Sequence, residues 1–173
     1  MRLTIGIAHA GIGGSECEAF PAPAGSWITF RLCGETLCFP AQAVRGVMGA
    51  SSLIPALNRN FGVVGFVISQ GKTQPVMDIR PNLNLPCTDM ASSGAIVLVS
   101  LASDTRFRAG IFVEQLEHTI QLPSGAFHQA AHASIPGHFL HGAADVRGSA
   151  VWALDLDFLL NPGNLKQVEP IAP

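Results

Sequence analysis

Residues 65–79 read GFVISQGKTQPVMDI, and residues 142–156 read GAADVRGSAVWALDL. The two stretches lie over one another without a gap, Gly65 on Gly142, Gly71 on Gly148 and Asp78 on Asp155. Each reads as a strand, a glycine turn, a second strand and an aspartate that opens a helical turn. Glycine supplies the backbone angles of a tight turn, and a carboxylate accepts the first free N–H groups of a helix. A looser match sets Val44-Arg45-Gly46-Val47-Met48 over Leu116-Glu117-His118-Thr119-Ile120 and adds one strand to each copy. Such a repeat predicts two like halves in one chain.

Upstream, Ile28, Phe30 and Leu32 alternate with Thr29, Arg31 and Cys33, Gly34-Glu35 interrupts, and Leu37 and Phe39 resume the alternation. This is a β-hairpin pattern. A two-residue turn at the break predicts Leu32 opposite Leu37 and Phe30 opposite Phe39 on the buried face, with Cys33 and Cys38 diagonal on the other. Further strands are expected at 44–48, 63–69, 72–77, 95–101, 106–112, 117–121 and 150–154, and short helical turns after Asp78 and after Asp155 or Asp157. Many short strands with few helical signals predict an all-β chain built as small barrels or a sandwich, and the repeat favours two β-barrels. The expected boundaries are 27–90 for the first barrel and 91–161 for the second, together one domain. Residues 1–25, ending in Pro21-Ala22-Pro23-Ala24-Gly25, read as a flexible extension, and 162–173 as a tail.

The chain has 173 residues, and a domain of that size buries roughly 70% of its unfolded surface without a disulfide or metal staple. With 48% apolar and only 13% charged residues it is a globule, not a disordered chain. Ten Lys and Arg against twelve Asp and Glu are scattered, which excludes a phosphate-tracking surface and nucleic acid as a partner. Cys17, Cys33, Cys38 and Cys87 form no paired CxxC site and read as reduced thiols. The apolar run near the start is broken by Gly6 and His9, too short for a secretory leader, and the longest run, 95–101, is strand-sized. A cytoplasmic protein with no direct membrane insertion is expected.

The hairpin Phe30-Arg31-Leu32-Cys33-Gly34-Glu35, the run 65–80 ending Pro75-Val76-Met77-Asp78-Ile79-Arg80, Gly110-Ile111-Phe112-Val113-Glu114, and the closing Leu154-Asp155-Leu156-Asp157-Phe158-Leu159-Leu160 together resemble the CheW family of chemotaxis coupling proteins. The resemblance covers about residues 27–160 and rests on four matches in order rather than on one motif. It implies two SH3-like five-stranded β-barrels packed together, with short helical turns and no catalytic activity or cofactor. It implies, as partners, a CheA-like histidine kinase and the cytoplasmic tip of methyl-accepting chemoreceptors. The partner-binding groove it implies comprises Val44, Gly46, Gly65, Ile68, Gln70 and Gly71. The chain departs from the family at two of these positions. An Asn-Leu-Arg-Gly turn is usual where this chain has Ile68-Ser69-Gln70-Gly71, and a Glu is usual at Gly46. The loss of both members of a charged pair suggests an altered partner surface, and makes an adaptor of a specialised system, such as type IV pilus twitching motility, the alternative.

Catalysis would need a nucleophile with a base, a carboxylate pair or a metal. No G-x-S-x-G elbow or phosphate-cradling loop occurs. Asp155 and Asp157 alternate like a glycosidase pair, but aspartates are expected where a strand hands over to a helical turn. His128, His132, His138 and His141 fall within fourteen residues. On one helix face the first two could ligate zinc or nickel, which makes a His-rich metal-binding protein an alternative of another class. Ala133-Ser134-Ile135-Pro136-Gly137 would break that helix, so a solvated loop is the preferred reading.

Overall fold

The computed structural model describes residues 25–57, 62–86, 89–123 and 125–161. Its strands are β1 (Ser26–Leu32), β2 (Glu35–Pro40), β3 (Val44–Gly49), β4 (Ile54–Pro55), β5 (Val63–Ser69), β6 (Lys72–Met77), β7 (Ala95–Val99), β8 (Ala109–Val113), β9 (Gln115–Gln121), β10 (Leu140–Val146) and β11 (Ser149–Leu154). One short helix, α1 (Leu156–Leu159), follows. The all-β expectation holds. The strands form a five-stranded sheet, β10-β11-β2-β1-β9, and a six-stranded sheet, β3-β7-β8-β6-β5-β4. Among the described residues neither hydrogen-bond order closes into a ring.

Read from the opposite edge, the second sheet runs β4-β5-β6-β8-β7-β3, and β5-β6-β8-β7-β3 corresponds strand for strand to β10-β11-β2-β1-β9. The repeated stretches take equivalent places, and each makes the sheet's one parallel junction, Val76 beside Gly110 and Trp152 beside Leu37. The looser match is also upheld, since β3 and β9 are the equivalent edge strands. The pairing of β4 with β5, Ile54 opposite Phe66, has its counterpart in the bridge of His128 to Ala143 on β10.

The expected division at 90/91 does not follow the sheets. The hairpin β1–β2 from the first half pairs with β9 and β11 from the second, and the hairpin β7–β8 pairs with β3 and β6. The two repeats have exchanged hairpins. Sequence similarity identifies like units but is silent about which body a hairpin joins, because that choice is made by long-range packing.

A large core lies between the sheets, with Phe30, Leu32, Leu37 and Phe39 from β1–β2, Val97, Val99, Ile111 and Val113 from β7–β8, and Leu154 and Leu159. The far face of each sheet has a smaller cluster, Val64, Val67, Val76, Ile96 and Leu98 in one and Cys38, Val151 and Ala153 in the other. The alternation in β1 and β2 sorts side chains between two apolar faces.

Three hairpins turn on the same chemistry. Cys33-Gly34, Gln70-Gly71 and Arg147-Gly148 all have positive φ at both residues, the mark of a type I′ turn whose twist matches that of the strands. The first turn therefore sits one residue earlier than the alternation suggested. Phe30 faces Leu37 and Leu32 faces Glu35. Cys33 occupies the turn while Cys38 is buried opposite Thr29, so the expected cysteine pairing on one face does not occur. Asp155 caps α1, accepting a hydrogen bond from the Phe158 N–H at 3.0 Å. Asp78 heads no named helix; it accepts from the Arg80 backbone N–H and takes the Arg80 guanidinium.

Candidate functional site

Strand β5 buries Val64 and Val67 and turns Phe66 and Ile68 outward, 38% and 55% exposed. Ile54 on β4, 51% exposed, stands opposite Phe66, and Phe66 stands opposite Pro75 on β6. Ile68 pairs with Thr73 one step along. The result is a cross-strand apolar row, Ile54–Phe66–Pro75, flanked by Ile68, on the face of the sheet opposite Val67 and Val76, with Leu57 fully exposed beyond β4. An isolated exposed aliphatic carries no meaning, but adjacent ones across three strands form an adhesive patch.

Gly65 makes this patch possible. A β-carbon there would collide with the Ile54 carbonyl oxygen and with Leu53 Cδ1. Only a residue without a side chain lets β4 lie against β5 and bring Ile54 beside Phe66. Gln70 and Gly71 form the hairpin tip next to Ile68. Thus four of the six residues expected at the groove, Gly65, Ile68, Gln70 and Gly71, come together on one hairpin. Val44 does not join them: it is 1% exposed and packed in the central core, so it meets no partner from solvent. Gly46 is buried on β3 opposite Leu98, and β7, β8 and β6 stand between β3 and β5 in the sheet order.

Phe66 and Ile54 were missed in the sequence. Their signal is present, since Gly65-Phe66-Val67-Ile68 is apolar at every position, but such a run also describes a strand buried on both faces.

Behind this hairpin lies a buried ionic cluster. Arg80, 1% exposed, pairs with Asp78 at 2.8 Å and Glu114 at 3.6 Å, and its guanidinium lies 5.3 Å from the Phe112 ring centroid. Glu114 also accepts from the Cys33 backbone N–H at 2.9 Å, and the Cys33 thiol reaches the Pro86 carbonyl at 3.0 Å. The cluster joins the end of β6, the end of β8 and the β1–β2 turn. Partial burial, and then the neighbouring Glu114 carboxylate, push the Cys33 thiol up to about 11, while burial alone pushes Cys38 up to about 12. Neither thiol is placed to act as a nucleophile.

The histidines diverge. His132 Nδ1 accepts the Ser134 and Ile135 backbone N–H groups, its Nε2 donates to Glu35 at 3.0 Å, and its ring stands edge-on to Trp152. Both nitrogens of His132 are thereby engaged in holding the loop. His128 makes a backbone bridge to Ala143, His138 lies among Phe139 and Phe158, and His141 stands 3.9 Å from Asp155. Among the described residues no three His, Cys, Asp or Glu side chains converge as a metal shell. Asp155 and Asp157 are likewise occupied, one capping α1 and the other accepting from the Ser103 backbone N–H at 3.1 Å. Among the described residues no helix is long and apolar enough to cross a membrane.

Two like sheets with exchanged hairpins and an exposed apolar face define a binding module. The CheW-like domain family model matches residues 26–163, and the chain belongs to that family, whose members are scaffolds in chemotaxis signalling. Among solved structures the chain is similar to the scaffolding protein TtCheW from Thermoanaerobacter tengcongensis, with a TM-score of 0.70 at 19% identity over 86% of this chain and 94% of that one. That likeness concerns the fold. A comparison with curated protein sequences found no match.

Proposed function

We propose that this chain is a non-enzymatic cytoplasmic adaptor that couples a CheA-type sensor histidine kinase to the cytoplasmic tips of chemoreceptors. The single observation that carries the reading is the exposed row Ile54–Phe66–Pro75 with Ile68 beside it, on a hairpin that also carries Gly65, Gln70 and Gly71. A stable scaffold contact needs apolar anchors that lose water on docking, and a rigid strand surface offers them at low entropic cost. Family membership supplies the partner class. Gln70 in place of the family's arginine leaves Lys72 as the one charge flanking the Gln70-Gly71 turn, so association through this hairpin relies on shape and apolar contact more than on charge.

The twitching-motility alternative rests on the departures at Gly46 and Gln70, and β7 and β8 stand between β3 and the β5–β6 hairpin that carry them; the metal-binding alternative is disfavoured because both ring nitrogens of His132 are engaged. Reconstitution tests the proposal. Kinase autophosphorylation is measured with receptor-bearing vesicles, with and without the protein. Receptor-dependent stimulation that appears only when the protein is added is the expected result; stimulation indifferent to its presence would refute the coupling role.

A further inference from the structure

The five-stranded sheet carries a feature that the docking face does not use. Among the described residues a cavity of about 560 Å³ is lined by β9 on one side, by Val146 and Arg147 of the β10–β11 hairpin on the other, and by Thr29 and Val151 from the strands between. β9 and β10 stand at the two ends of the sheet order, yet both reach the cavity, so the sheet curls until its ends face one another. The cavity is the mouth of this half-closed barrel, a common place for small-molecule sites, and its volume suits a small organic ligand.

Floor and rim differ in chemistry. Val151 and Thr29 are buried, and the Thr29 hydroxyl is spent on the backbone of β9, donating to the His118 carbonyl at 3.0 Å and accepting from the His118 N–H at 3.1 Å. At the rim, Arg31 and Arg147 stand with one carboxylate, Glu117, which lies 3.7 Å from Arg31. Two guanidinium groups face one carboxylate, and no carboxylate among the described residues pairs with Arg147. The other sheet supplies a comparison. Leu98, opposite Gly110, holds the place that Thr29 takes opposite Cys38, and Gln70 holds the place of Arg147. Leu98 is buried among Val67 and Val76, so where one copy of the repeat has a leucine inside and a neutral turn, the other has a threonine inside and an arginine at the turn. Asp145 accepts from the Gly148 N–H at 2.8 Å and pins the turn that carries Arg147.

We propose that this cavity binds a small organic anion, one carboxylate on an apolar body, with the carboxylate held at the rim by Arg147 and Arg31 and the body over Val146 and Val151. A guanidinium offers parallel N–H donors that match the two oxygens of a carboxylate, and the apolar wall rewards a body that leaves water. A second negative charge on the ligand would meet Glu117 without a matching cation, which selects a monoanion. A ligand so placed bridges β9 and the β10–β11 hairpin, the two ends of the sheet that no hydrogen-bond ladder joins among the described residues.

Titration of the full chain with 1-naphthylacetate, followed by backbone amide NMR, tests this beside 1-naphthylacetamide, an uncharged molecule of nearly the same shape. The acid is expected to shift the amides of residues 117–122 and 146–151 saturably and to bind at least about tenfold more tightly than the amide. Arg147→Gln is expected to remove most of that preference while leaving the affinity for the amide unchanged. The fold should accept this variant, because Gln70 occupies the same turn position in the other copy. Equal affinity for acid and amide would overturn the proposal, as would an Arg147→Gln variant that binds the acid like the native chain. No saturable shift with millimolar acid would overturn it too, and so would shifts of these amides on dilution without ligand, by making a second copy of the chain the occupant.

Discussion

The carbonyl oxygen of Ile54 lies so close to Gly65 that no side chain fits between them. That approach seats the two-residue strand β4 on β5 and sets Ile54 beside Phe66. Gly65→Ala is therefore expected to cost on the order of 1–3 kcal/mol as β4 is pushed away. Chemical denaturation gives the cost, and faster amide exchange confined to residues 53–56 would locate it. A variant as stable as the parent, with β4 protection intact, would show that β4 is not pinned by this contact.

Exchange of hairpins makes the two sheets one folding unit. Removing either repeat takes two strands from the other's sheet, and each repeat alone is small enough to be marginal. A single unfolding transition is expected, coincident by far-ultraviolet circular dichroism and by tryptophan fluorescence, since Trp27 and Trp152 both lie in the five-stranded sheet. Two separated transitions would mean that the sheets fold independently.

Arg80 is held by Asp78 and Glu114 and stacked on Phe112. Truncation to Ala leaves a buried carboxylate without its cation and is expected to cost about 3–5 kcal/mol. Arg80→Lys should recover only part of this, because an ammonium cannot take both Asp78 oxygens as the planar guanidinium does. Urea unfolding of the two variants measures the difference; equal and small losses would contradict a structural role for the cluster.

Both described thiols are held neutral, Cys38 up to about 12 and Cys33 up to about 11, from an ordinary value of 9.0. The folded state keeps these protons after the unfolded chain has released them, so the stability they contribute is complete below about pH 9 and is lost as pH rises toward 12. Thermal melts across this range should show a falling midpoint that a Cys38→Ala variant partly flattens. In a Cys17→Ser/Cys33→Ser/Cys87→Ser background, alkylation at pH 8 should be slow when native and fast in denaturant. Rapid labelling of the native protein would contradict the burial of Cys38.

Much of this fold is legible in the sequence because its signals are local. Alternation fixes the strands, and the glycines of residues 65–79 and 142–156 fix the hairpins and their equivalence. The exchange of hairpins is not local. Nothing in β1–β2 says whether it will pair with β3 or with β9, since both bodies offer the same kind of edge. The misplaced first turn is a subtler case: Gly34 was expected to open the turn, whereas it closes it, with Cys33 taking the first positive φ. Comparison with Gln70-Gly71 and Arg147-Gly148 carries that information. At the candidate site the glycines and Ile68 were visible, but the run from Gly65 to Ile68 does not reveal which apolar side chains face outward. That depends on which side of the sheet the central core occupies, and it buries Val44 while exposing Phe66.

The most direct test of the adaptor reading is the affinity of the full chain for a CheA-type kinase, by calorimetry, beside that of a Phe66→Glu/Ile68→Glu variant. Both side chains are already exposed, so the variant should keep its melting temperature within about 2–4 °C. Loss of two apolar anchors and introduction of buried charge should weaken binding at least a hundredfold, about 2.7 kcal/mol or more. Native and variant chains that bind the kinase equally well would contradict the account, because the face that Gly65 builds would then play no part in docking it.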